Sequence, residues 1–172
     1  MASKKDLTKF LVDLTKEELE KEVEKLYVKF KEVKTYYDIE LSGDTFAIVN
    51  EIKAKIKKEY MPDRGHGQER SAVVKKVIDD FAKVSIFPSD LVDVILYRVE
   101  MAVDFSDTYG DINEAFYASA ENAFERALKL IEKHQLHSDF KLRCKEIVYS
   151  TREYGWGFHD ELSYFYDEYY PE

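Results

Sequence analysis

Early in the chain, apolar residues recur at alternating spacings of four and three. Leu19, Val23, Leu26, Phe30, Val33 and Tyr37 form one such series, the mark of a helical face that packs against something. The series predicts one long helix opening at Thr15. There Thr15 and Glu18 have the capping-box spacing, in which hydroxyl and carboxylate each accept from a backbone N–H that the helix leaves free. So regular a seam also suits a coiled coil. Ahead of it, Ser3 is the expected cap of a short helix, "KKDLTKFLVDL". Behind it, "YYDIEL" alternates and reads as a short extended exit before a turn at "SGD".

The pattern then returns to helical spacing. Phe46, Val49, Ile52, Ile56 and Tyr60 align on a helix over 45–60, which "EYMPDRGHGQERSA" (59–72) breaks at Pro62. Val73, Val77, Phe81 and Val84 predict a helix from Ser71, its expected cap, to Val84, stopped at Pro88. Ser89 is the expected cap of "DLVDVILYRVEMAVDF", the most apolar helix and so the central one. Asp111 is expected to cap a helix that runs to His134, with Ala115, Ala118, Ala120, Ala123 and Ala127 allowing close approach. Ser138 should cap a helix carrying Phe140, Cys144, Ile147 and Thr151, and Gly155 fits its left-handed end. An aromatic helix, "FHDELSYFYDEYY", finishes the chain.

About eight helices with short connections and no fixed-period repeat predict an all-α protein, an irregular multi-helix bundle or loose array of helical hairpins. The 172 residues read as a single domain, with sub-lobes over 1–61 and 71–172 joined by a 62–70 connector. Six glycines and three prolines leave few sharp turns, which favours long helices over many strands.

Charge changes this picture by dividing the chain. The net charge is −9, which disfavours general nucleic-acid binding. Yet residues 51–78 hold eight Lys/Arg against four acids (Glu51, Glu59, Asp63 and Glu69). Residues 79–125 hold eleven acids against Lys83 and Arg98, and the last fourteen residues hold five acids, Glu172 among them, and no Lys or Arg. The basic segment surrounds the Gly-rich break. Arg64, His66, Arg70, Lys75 and Lys76 are therefore the candidate anion- or partner-binding residues, beside a helix N-terminus whose free N–H groups favour negative charge. The competing expectation for 62–70 is a solvated connector.

The acidic segment carries two stripes. Asp93, Tyr97, Glu100 and Asp104 share one face of a helix, and Glu114, Tyr117, Glu121 and Glu125 share one face of the next. Facing each other, they would suit a hard cation or a metal pair. Because unpaired carboxylates are expensive to bury, the expectation is a solvent-facing acidic surface. The Glu-x-x-His motif of di-metal bundles is absent. No cofactor, metal site or catalytic residue is predicted.

Cys144 lies on an apolar stripe and is expected to be a buried, inert thiol. A lone cysteine allows no internal disulfide, in keeping with a reducing cytoplasm. No apolar run reaches a membrane span, the N-terminus lacks a signal-peptide core, and "HDEL" at 159–162 is internal. His134 and His137 straddle a helix end and suit its dipole. Trp156, between two glycines, is expected to fold back on the core with Phe158, Leu162 and Phe165; the alternative is an exposed anchor.

The segment "SKKDLTKFLVDLTKEELEKEVEKLYVKFKEVKTYYD", the "KEYMP" break, "LYRVEMA" and "FYASAENAFERAL" together resemble a family of small bacterial all-helical proteins known only as a domain of unknown function. The resemblance implies a bacterial, cytoplasmic helical protein and brings no catalytic residue. The leading expectation is a non-enzymatic interaction module that presents a charge-polarised surface to another protein. The alternatives are nucleic-acid or nucleotide binding through 53–76, and a cation-dependent enzyme using Glu100, Asp104, Glu121 and Glu125.

Overall fold

The computed structural model describes residues 2–68 and 70–171. Glu69 and Glu172, counted above among the acids, lie outside the described residues. Those described form nine α-helices and no strand, so the all-α expectation holds. The helices are α1 (Lys4–Val12), α2 (Lys16–Lys29), α3 (Lys31–Ser42), α4 (Phe46–Tyr60), α5 (Ser71–Ala82), α6 (Pro88–Tyr109), α7 (Glu114–His134), α8 (His137–Ser150) and α9 (Phe158–Tyr169). They fall into two compact units, Met1–Gly43 and Asp44–Glu172. The division lies at Gly43, not at 62–70, because Ile52, Ile56 and Tyr60 of α4 are buried in the core of the second unit.

In the first unit Ser3 and Thr15 cap their helices as the sequence predicts, and both form capping boxes. Ser3 pairs reciprocally with Asp6, and Thr15 with Glu18. The long helix does not form. Phe30 is extended (φ −119°, ψ 121°) and divides it into α2 and α3, which pack against each other. The predicted extended exit at "YYDIEL" is helical instead. The break at Phe30 lets α3 pack against α2, although Val23, Leu26 and Phe30 stay exposed. Tyr27 of α2 donates its O–H to Asp38 of α3 at 3.0 Å, and its ring meets Tyr37 at 6.4 Å.

The second unit is built around α6, which packs against α4, α5, α7 and α8; α9 covers α7 and α8. Val92, Ile95, Leu96 and Val99 of α6 are buried, and Ala120, Ala123 and Ala127 bring α7 close. On α5 the buried residues are Val74, Ile78 and Phe81, so Val73 and Val77 lie one position off the core face. The doublets Val73–Val74 and Val77–Ile78 supply two adjacent stripes, and packing selects the second. On α4, Phe46 is exposed while the rest of its stripe is buried.

Several caps differ from expectation. Asn113 caps α7, its side chain accepting from the Phe116 N–H at 2.9 Å, while Asp111 accepts from the Tyr117 hydroxyl. Pro88 is the first residue of α6, where its missing N–H costs nothing, so Ser89 lies inside the helix. Ser71 and Ser138 likewise fall inside α5 and α8, behind Arg70 and Leu136. Thr151 ends α8, and the left-handed residues beyond it are Trp156 and Gly157. Gly155 instead passes close to Asp111, whose carboxylate oxygen would lie 2.9 Å from an added Cβ. Phe158 and Leu162 are buried and Phe165 packs partly on the core, but Trp156 stays 57% exposed. The predicted stripe of α8, with Cys144 and Thr151, is buried as expected, and burial pushes the Cys144 thiol up to about 12.

Candidate functional site

The loop after α4 is pinned to its own unit. The Gly67 N–H donates to the Tyr109 hydroxyl at 3.0 Å, and the Gln68 N–H donates to the Glu59 carbonyl at 2.8 Å. Gly67 runs so close to α4 that an added Cβ would lie 1.7 Å from the Tyr60 carbonyl oxygen. The His66 ring meets Tyr109 at 6.2 Å, and Arg70 pairs with Glu59 at 2.8 Å. The glycine there serves close packing of the loop on α4. Arg64 is exposed. Lys76 pairs with Asp80 at 2.5 Å, Lys55 with Glu51 at 2.7 Å and Lys53 with Asp93 at 2.7 Å. Four cations of the basic segment are thus engaged by acids. Lys75 lines a cleft described below, and Arg70 lines a separate, smaller depression with Val73 and Phe116.

The α6 stripe does share a face, but that face is not an open acidic surface. Arg143 of α8 forks onto Glu100 (Nε to Oε1 2.6 Å, Nη2 to Oε2 2.9 Å) and donates from Nη1 to Asp93 at 2.5 Å. Lys53 of α4 pairs with the same Asp93 and lies 5.4 Å from the centre of the Tyr97 ring. This is how α4, α6 and α8 are tied together with their charges half-buried and satisfied. The sequence reading missed it because Arg143 lies far along the chain on the flank of an apolar stripe. Further along, Asp104 is held above the usual carboxylate range by burial and by Asp107 and Glu100, with Lys57 partly opposing.

The α7 stripe has different neighbours. Tyr117 is buried, its ring 4.9 Å from Phe158, and its hydroxyl donates to Asp111 at 2.7 Å. Glu121 is raised by burial, by Glu161 of α9 and by Glu114, while Glu125 pairs with Lys129 at 2.5 Å. Tyr154 donates its O–H to Asp107, and burial followed by that bond raises its pKa. Among the described residues no group of three or more His, Cys, Asp or Glu is placed to hold a metal ion. The structure therefore does not bring the carboxylates of Glu100, Asp104, Glu121 and Glu125 together into one site.

A cleft of about 640 Å³ opens between α5, α6 and α7. Arg98 lines it, with Lys75 from α5 and Ser119, Asn122 and Arg126 from α7. Ile78, Ile95 and Ala123, all buried, form its apolar wall. Arg98 is only 5% exposed; its Nη2 donates to Ser119 Oγ at 2.6 Å, and its Nε is buried with no partner. The sequence carried a signal for this. One turn before Arg98 stand Val94 and Ile95, and one turn after stand Met101 and Ala102, so its own helix supplies no acid within reach.

The first unit offers a different surface. Ile39 is its one buried side chain among the described residues, whereas Val12 is 77% exposed, Val28 85% and Leu41 81%. Leu7, Phe10, Val23, Leu26 and Phe30 are exposed too. A shallow depression of about 400 Å³ on α2 is lined by Leu19 and Val23 and rimmed by Lys16, Glu20 and Glu24.

Fold and surfaces together define an all-helical protein of two units, the larger knit by apolar packing and half-buried ion pairs, with no helix among the described residues long and apolar enough to cross a membrane. The chain belongs to DUF6155, a family of unknown function, whose family model matches residues 2–170. This agrees with the resemblance carried by the N-terminal and α6–α7 segments. No curated protein and no solved structure matches the chain.

Proposed function

We propose that this protein is a non-enzymatic interaction module whose N-terminal unit docks an amphipathic helix of another protein. The observation that carries this reading is the uncovered apolar stripe of α2. Leu19, Val23 and Leu26 recur at four and three, the spacing at which a partner helix inserts its own apolar side chains. Val23 and Leu26 are exposed, and exposed apolar residues gathered on one face mark interaction surfaces. The rim of Lys16, Glu20 and Glu24 carries both signs of charge, so the fitting partner is a helix flanked by both. Charge there sets orientation, and the apolar stripe supplies affinity.

The test compares the wild type with Val23→Gln/Leu26→Gln as bait in a native-host extract, each first checked for helicity by circular dichroism. The expected result is a stoichiometric protein retained by the wild type and lost by the variant. Identical captures would refute the reading. Light scattering on the purified chain distinguishes a second copy from a different partner.

A further inference from the structure

We infer that the α5–α6–α7 cleft is a binding site for a small organic anion, with its carboxylate or phosphate head on Arg98 and its apolar body against Ile78, Ile95 and Ala123. The inference is independent of the docking role of the first unit.

The argument begins with the cost of Arg98. A guanidinium stays charged in any folded protein and carries five N–H donors. Taking it out of water without a counter-charge is strongly unfavourable, so buried arginines normally pair with carboxylates. Among the described residues Arg98 pairs with no carboxylate, and a neutral hydroxyl on Ser119 is its sole hydrogen-bond partner. The Nε, on the edge that forks onto carboxylates and phosphates, is unpartnered.

Its setting strengthens the case. The chain is acidic overall, and 79–125 is its most acidic stretch, yet no Asp or Glu is among the residues lining this cleft. Three cations line it: Arg98 in its wall, exposed Lys75, and Arg126, which is held by Asp79 at 2.6 Å. Ser119 accepts from Arg98, so its own hydroxyl proton is left to donate to an arriving anion. The volume of about 640 Å³ is that of a small-molecule site rather than of a bare ion. The apolar wall selects a ligand with a hydrocarbon or ring body behind its charge.

The test uses three probes that share one ring: phenyl phosphate, benzoate and neutral benzamide. Binding is measured by calorimetry and by thermal shift at matched ionic strength. Binding of either anion with benzamide inactive supports the inference, and the tighter anion identifies the head group. Arg98→Met keeps the volume, removes the buried charge and should still fold. It is expected to weaken anion binding roughly tenfold or more, as loss of a charged hydrogen bond does. Lys75→Gln, at an exposed position with no fold to lose, is expected to weaken it several-fold and to flatten its salt dependence. The inference is overturned if neither anion binds, if benzamide binds as well as benzoate, or if both variants bind like the wild type.

Discussion

The two units of this protein treat their apolar residues in opposite ways. The unit over 44–172 buries tyrosine, phenylalanine, leucine and isoleucine side chains completely. The unit over 1–43 buries Ile39 alone among its described residues and leaves a series of large apolar side chains in water. Their charge differs as well. The first unit has nine lysines against ten acids, and the second has seventeen basic residues against twenty-five acids. Local signals for helix are at least as good in the first unit, which alone has two reciprocal capping boxes. Helix-forming signals and core-forming signals are therefore separate properties of a sequence. A stretch rich in the first and poor in the second has apolar surface left for another molecule.

The sharpest way to break that contrast is to delete matched apolar groups on either side of it. Leu128 is fully buried on α7, so Leu128→Ala is expected to cost about 2–5 kcal/mol, lost transfer free energy plus a cavity. Val28→Ala, at a position 85% exposed, is expected to fall within about 0.5 kcal/mol of the wild type. Chemical denaturation of both variants measures the difference. Comparable losses would mean that the side of α2 carrying Val28 is covered in solution.

Next in size is the charge tie across α4, α6 and α8. Arg143→Leu leaves Glu100 half-buried without its fork, while Asp93 keeps Lys53. The expected loss is about 2 kcal/mol, below that of a fully buried pair because the groups are partly solvated. A double-mutant cycle with Glu100→Gln isolates the coupling, and additive losses would show that the fork contributes nothing.

The same contrast explains what was legible in advance. Helices are local, so period, caps and breaks gave their number and order nearly correctly. The hinge at Phe30 was invisible because nothing local announces it: no glycine, no proline, and an apolar series that continues in phase across it. On α5 two apolar stripes stood side by side, and only the partner helices decided between them. The surroundings of the candidate residues were hidden for a related reason. Charge counts along the chain found the α6 stripe but could not see Arg143 arriving from α8, which turned an acidic surface into an ion-paired seam. Counting also averaged Arg98 away inside an acidic segment, although an arginine with apolar residues one turn before and after it is a local signal.

Within the first unit, Thr15→Ala tests whether the caps act alone. It removes the acceptor for the Glu18 N–H, and such losses cost about 1 kcal/mol of helix stability. Hydrogen exchange is expected to speed up along α2 and to stay unchanged along α6 and α7. Faster exchange in α7 would join the two units into one cooperative structure and dissolve the comparison.

The smallest expected effect lies on the second unit's strained carboxyls, and its direction depends on pH. Burial and neighbouring acids raise the pKa of Asp104 and Glu121 above their ordinary values of 3.8 and 4.5. A carboxyl whose folded pKa exceeds its unfolded one binds more protons in the native state across that interval, so stability falls as pH rises through it. The penalty is complete above the folded pKa and absent below the ordinary value. Asp104→Asn and Glu121→Gln should therefore stabilise the protein near neutral pH, by roughly 0.5 kcal/mol each, as modest surface-charge substitutions do. The gain should vanish in melts taken below 3.8 for the first and below 4.5 for the second. Asp80 supplies the opposite case. Lys76 and Lys83 hold its carboxyl down at about 2, so the stabilisation from those pairs is present above its ordinary value of 3.8 and is lost as pH falls through the folded one. Asp80→Asn should accordingly lower the melting temperature slightly at neutral pH, where the other two raise it. If all three shifts had one sign, the contrast between strained and satisfied carboxyls in this unit would be wrong.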